Sequence, residues 1–286
     1  MMKTEIDVKK LHFDQDDLPL MSADSKIGLL STIDDDGCPH ISFISSLQPL
    51  GKDELTIGQF CAGLSKEFML KRQKTGFLFL TPNMEIWRGR ALYDRSAKSG
   101  PEYELYNQKP LFRYNSYFGI GTVHYFKLKD ITSKEQLTKG SIASGAIKSR
   151  LAAPFFTASK GKVLNDFSCS LFGQIDGLKF ISYLDENGFP VLVPVIQAGN
   201  AGKDRVAFAM QPYRSELLKI PAEAAVAIIA LNLKMESVLI KGSYRHAGFT
   251  FSQVGLVDIK KVYNSMPPQP GYIYPRPSGH KKVVDF

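Results

Sequence analysis

Few residues in this 286-residue chain carry chemistry that is obvious from their type, so spacing has to decide what each can do. Its five histidines, His12, His40, His124, His246 and His280, never fall in the H-x-x-x-H pattern that brings two imidazoles to one helix face for zinc, and a metal site has no support. Cys38 and His40 flank Pro39, which suggests a thiolate activated by an imidazole. The trio lies in a predicted hairpin turn with no third group to orient a base, and an exposed turn cysteine is the alternative. Asp34-Asp35-Asp36 opens like a calcium loop but lacks the glutamate that closes one, so it reads as a turn. Gly119-Ile120-Gly121 has no third glycine and opens a strand instead of a helix, which excludes a dinucleotide loop.

The elements that must position any site come from composition and pattern. With 44% hydrophobic, 22% charged and 11% aromatic residues the chain is that of a folded globular protein, long enough for one large or two smaller domains. Its longest apolar stretch, Ala224 to Leu231, is far short of the roughly 18 residues a spanning helix needs. The start, MMKTEIDVKKLHFDQDD, shows no apolar leader segment, and Cys38, Cys61 and Cys169 are too few for a disulfide framework, so a cytoplasmic location is expected. The net charge of +8 is concentrated in Lys127 to Lys162 and Lys241 to Phe286. Local positive potential of this kind draws anionic ligands, but the basic residues are scattered, which argues against a nucleic-acid groove.

An internal repeat organises the rest. KIGLLSTIDDDGCPHISFISS (Lys26 to Ser46) and KFISYLDENGFPVLVPVIQA (Lys179 to Ala198) are both strand, acidic turn, Gly-x-Pro, strand, with Pro39 and Pro190 standing 151 residues apart. Downstream, TIGQF (Thr56 to Phe60) matches RVAFA (Arg205 to Ala209) and GFLFLTPN (Gly76 to Asn83) matches AVAIIALN (Ala225 to Asn232), both at 149. IWRGRALY (Ile86 to Tyr93) matches LIKGSYRH (Leu239 to His246) at 153. Final strands are expected over Gly119 to Ile131 and Phe249 to Val262. About twenty extra residues, Asp94 to Asn115, read as a loop insertion in the first copy, and a helical pattern near Ala143 to Ala152, ended by Pro154, lies between the copies.

LLSTIDDDGCPHIS, CAGLSKEFMLKRQKTGFLFL and WRGRA in the first copy, with SYLDENGFPVLVPV and LIKGSY in the second, resemble the pyridoxamine 5′-phosphate oxidase-like, FMN-binding split-barrel superfamily. The resemblance implies a mainly β protein with short helices: two tandem split β-barrels, residues 1–131 and 171–286, joined by an irregular, partly helical segment, 132–170. It implies an intrachain pseudo-dimer, because members are typically homodimers with flavin at the interface. The chain is then expected as a monomer or a further homodimer.

What the resemblance implies for the site follows residue by residue. Ser65-Lys66 occupies the family's phosphate-binding segment at the start of the helix after the fourth strand. A helix amino terminus capped by Ser65 and charged by Lys66 would suit a phosphate dianion. Arg214-Ser215 is the aligned pair in the second copy at an offset of 149. Ser42, Ser45 and Ser46 form a polar edge for a flavin ring or the wet side of a strand, and Trp87 stacks on the flavin or packs in the core. In the oxidases an Arg and a Lys follow the Gly-x-Pro turn. Here those places are Ser42 and Leu47, and Val193 and Ala198, and the end MPPQPGYIYPRPSGHKK lacks the signature that recognises pyridoxal.

The resulting expectation is an FMN-binding oxidoreductase acting on an unidentified small molecule, since the cofactor performs such chemistry and the protein needs few acid–base groups. The alternatives are a flavin-binding or sensing module without turnover, and a haem-handling split barrel with His246 or His280 as the late ligand.

Overall fold

A computed structural model describes residues 9–60, 63–109, 119–137, 161, 163–232, 234, 236–249, 252–265 and 270–276. Cys61, His280 and the helical pattern at Ala143 to Ala152 with Pro154 lie outside the described residues. No helix among the described residues is long and apolar enough to cross a membrane.

The first sheet is built by β1 (Lys9–Lys10), β2 (Ile27–Ile33), β3 (Pro39–Phe43), β4 (Gln48–Leu50), β5 (Glu54–Gln59), β6 (Lys74–Leu80), β7 (Glu85–Ala97), β8 (Thr122–Thr132) and β9 (Glu135–Gln136). Helix α1 (Leu18–Ser22) precedes β2, α2 (Leu64–Lys71) joins β5 to β6, and α3 (Pro101–Gln108) lies between β7 and β8. The second sheet follows α4 (Asp166–Gly173) and comprises β10 (Leu178–Leu184), β11 (Pro190–Pro194), β12 (Gly199–Asn200), β13 (Arg205–Ala209), β14 (Ala225–Leu231), β15 (Ser237–Phe249), β16 (Ser252–Asn264) and β17 (Gly271–Tyr274), with α5 (Arg214–Leu217) between β13 and β14. Strand order is β3-β2-β6-β7-β8-β5-β4 in one and β11-β10-β14-β15-β16-β13-β12 in the other, all antiparallel. The chain is two tandem split β-barrels of one topology.

The two Gly-x-Pro hairpins close in the same way. Asp34 accepts from the Gly37 amide (3.0 Å) and its side chain from the Cys38 amide (2.8 Å). Asp185 accepts likewise from Gly188 (2.8 Å) and Phe189 (2.8 Å). Gly37 and Gly188 sit at φ +77° and +72°, the left-handed region that a side chain would strain, which explains the acidic-then-glycine pattern.

Strand registers correct the sequence alignment. Gln48 pairs with Thr56 and Gly199 with Ala207; Lys74 pairs with Leu92 and Ala225 with Ser243. Both pairs of pairs stand 151 apart, and the bulge after Arg90 recurs after Lys241 at the same spacing. The offset is therefore 151 throughout the strands up to β7, and 149 and 153 are slips of one strand period. In β8 and β16 it becomes 131, because Glu54 faces Lys127 while Arg205 faces Asp258. The difference of twenty residues is the insertion. The insertion lies mostly beyond Ala97, since β7 runs on to Ala97 as β15 does to Phe249, and it is not a bare loop: it carries α3, docked by the fully buried Tyr106, whose hydroxyl donates to the Ser46 carbonyl at 2.7 Å. The repeat also begins earlier than expected, since Phe13 and Leu164 donate to the carbonyls of Lys52 and Lys203.

By compactness the chain divides into Met1–Lys139 with Ser182–Val193, and Gly140–Ile181 with Pro194–Phe286. In the first unit alternation sorts β8: Phe126 faces a core with Leu30, Leu55, Ile57, Phe77 and Trp87, while Val123 and Tyr125 face α3. The hairpin Ser182–Val193 is held there by Arg90, bound to Asp130 and Asp185, by Arg88 donating to the Leu192 carbonyl (2.9 Å), and by Ser31 Oγ against Ser182 Oγ (2.8 Å). In the second unit a smaller cluster joins Ala201, Ala207, Val254 and Leu256.

Candidate functional site

Two sets of polar residues stand out in the first copy, one on β3 and α2 and one on β5, β7 and β8. On β3 the alternation that turns His40 toward Phe68 of α2 (ring centroids 5.3 Å apart) turns Ser42 the same way, and its hydroxyl is bonded to that of Ser65. Ser65 is buried in the first turn of α2. It is not the cap: the capping position is Gly63, with no side-chain cap, so the expected capping role of Ser65 does not hold. Lys66 follows in that turn. Ser45 is half-buried in the turn between β3 and β4, and Ser46 is buried, its hydroxyl bonded to both the amide and the carbonyl of Gly58.

The residue that sequence reasoning passed over is His124. It lies on β8 opposite Ile57, on the barrel side of the strand, only 4% exposed. Its Nε2 is 2.7 Å from Gln59 Oε1, and Tyr93 lies beside it with ring centroids 6.0 Å apart. With the amide oxygen turned to the ring, Nε2 carries the proton and Nδ1 presents a lone pair. That Nδ1 is buried and has no hydrogen-bond partner. Burial, and then the Lys66 ammonium, push the imidazole down to about 4, so the ring is neutral at physiological pH. As a lone histidine among apolar residues it carried no motif. The signal that finds it is the tripeptide Gly51-Lys52-Asp53 repeated as Gly202-Lys203-Asp204, which fixes the register and sets His124 against Gly255.

The other expected residues lie elsewhere. Trp87 is 2% exposed in the core, its indole N–H donating to Asp17 Oδ2 at 2.9 Å. Arg214 and Ser215 are exposed on the four-residue α5, where Arg214 Nε donates to Gln253 Oε1 at 2.8 Å. At the offset of 151 the counterparts of Ser65 and Lys66 are Glu216 and Leu217. His246 is exposed on β15 beside Tyr244, and among the described residues no cluster of potential metal ligands exists.

The site thus belongs to a split barrel. No protein-family model matches the chain, and no curated protein matches it. Solved structures similar to it are split-barrel proteins of the pyridoxamine 5′-phosphate oxidase-like kind. They include an FMN-binding protein from Syntrophomonas wolfei subsp. wolfei, at 21% identity over 44% of this chain and 90% of that one, TM-score 0.34. HupZ of Group A Streptococcus matches at 15% identity over 42% and 91%, TM-score 0.34. A NimC/NimA family protein from Clostridium acetobutylicum matches at 13% over 43% and 92%, TM-score 0.33.

Proposed function

We propose that this chain is a flavin-binding protein whose first copy holds flavin mononucleotide, and that it acts as an oxidoreductase on a small molecule. The observation that carries this reading is the buried, unpartnered Nδ1 of His124, whose imidazole feels the charge of the Lys66 ammonium. A buried polar atom without a partner costs about 1–3 kcal/mol, a cost that a bound donor removes. The donor set fits a phosphorylated polyol chain. The Ser42 and Ser65 hydroxyls and the Lys66 ammonium would hold the phosphate, and His124 Nδ1 would accept from a hydroxyl. Flavin, when bound, supplies the hydride or electron transfer. The protein's own part is to orient the ligand and to keep the imidazole neutral, so that no buried positive charge opposes an incoming donor.

A yellow spectrum in the purified chain, or uptake of added flavin mononucleotide, is the expected outcome. Lys66→Ala should bind at least tenfold more weakly, from the loss of one charged hydrogen bond. No flavin as purified and none taken up would overturn the proposal. Ser42 and Leu47, standing where the oxidases carry Arg and Lys, favour a second reading, binding without turnover. A bound flavin reduced by neither dithionite nor a nicotinamide would select it.

A further inference from the structure

We infer that the chain takes one such anionic ligand and not two, because the second copy has closed the corresponding place and reversed its charge. The inference rests on the ligand reading of the first-copy residues. The strand pair Ile57 with His124 is matched in the second sheet by Phe208 with Gly255. A Cβ at Gly255 would lie 2.4 and 2.5 Å from two carbons of the Phe208 ring, so only glycine fits there. The ring fills the space above it and stacks on Tyr244, the counterpart of Tyr93, at 6.3 Å and 26°. Phe208 and Tyr244 are both fully buried, and the Tyr244 hydroxyl donates to the Leu217 carbonyl at 3.1 Å.

The polar groups change in the same sense. Gln59, which holds the imidazole, corresponds to Met210, 1% exposed. Ser65 corresponds to Glu216, a carboxylate where the first copy offers a hydroxyl, and Lys66 to the fully buried Leu217. A phosphate there would meet a carboxylate in place of a hydroxyl, a leucine in place of the lysine and an aromatic plug. Arg214 does not restore the charge, because it stands two residues earlier, at the place of Gly63, and is bonded to Gln253.

The test loads the full chain with excess flavin mononucleotide, removes the unbound fraction, and measures flavin released per chain on denaturation, for the parent, Lys66→Ala and Glu216→Ser. One flavin per chain is expected in the parent and in Glu216→Ser, and Lys66→Ala should leave no fraction binding at the parent's affinity. Two flavins per parent chain, or half the sites surviving Lys66→Ala at full affinity, would overturn the single site while the flavin reading stands, and a rise to two in Glu216→Ser would overturn closure by the Phe208 ring. No flavin bound by any form would overturn both.

Discussion

His124 over Ile57 and Phe208 over Gly255 occupy one position in two sheets of identical order, and they answer the same packing problem in opposite ways. The second copy fills the space with a fully buried ring stacked on Tyr244. The first keeps an imidazole whose second nitrogen has no partner. Packing would favour the phenylalanine in both, since an unsatisfied buried nitrogen opposes folding while a buried aromatic adds several kcal/mol. The difference teaches that the second copy is optimised for stability at this place and that the first gives some of it up for a polar group.

The largest expected break in that comparison is Phe208→Ala. Removing a fully buried ring should cost about 3–5 kcal/mol in denaturant unfolding. His124→Leu should cost less than about 1 kcal/mol or stabilise, because it removes the unpaired nitrogen. Equal losses for the two variants would show that the imidazole is packing as the ring does.

Much of this contrast could be read in the residues and part could not. The Gly-x-Pro hairpins and the repeat were legible because turn chemistry is local: an acidic residue, a glycine at positive φ and a proline that resumes the strand. The drift to 149 and 153 arose because an alternating strand shifted by two residues presents the same face, so hydrophobic pattern alone cannot fix its register. His124 stayed hidden for the same reason. Its meaning comes from Gln59 and Tyr93, which reach it only through strand pairing. Sequence alone leaves Trp87 open between core and ligand, because Asp17, which takes its N–H, stands seventy residues away.

A second, smaller effect sharpens the comparison through pH. The His124 imidazole is pushed down to about 4 in the folded chain, below its ordinary 6.5. As the pH falls the unfolded chain takes up this proton first. The stability it represents is whole above about 6.5 and is lost on the way down to about 4. Allowing for solvent screening, this is about 2 kcal/mol. The loss of unfolding free energy between pH 7 and 4.5 should shrink by that amount in His124→Gln. An unchanged loss would mean that the ring is already charged or solvated. The second copy, with Phe208 and Gly255, has nothing there to titrate.

The smallest effect concerns a feature the copies share by different means. Ala23 and Gln174, equivalent residues just past the ends of α1 and α4, each have their carbonyl bonded by a buried lysine, Lys26 at 3.1 Å and Lys179. A cation is favourable at a helix carboxyl end, which explains why both copies keep one. The lysines are not equivalent: Lys26 stands at the place of Gly177, and Lys179 at that of Gly28. Burial, and then the neighbouring Lys109, lower Lys26 to about 8, with Asp24 opposing the shift. The unfolded chain therefore holds this proton more tightly, and stability should rise between pH 8 and about 10.5. Lys26→Met should abolish that rise. Moving the lysine to the second copy's arrangement, Lys26→Gly with Gly28→Lys, should not restore it. A Cβ at Gly28 would lie 2.6 Å from the Ile44 carbonyl oxygen and 2.9 Å from the Leu47 Cβ, so the first copy can hold its ammonium only from position 26. Full recovery of stability in the double variant would show that the β3–β4 turn yields, and that the two arrangements are interchangeable.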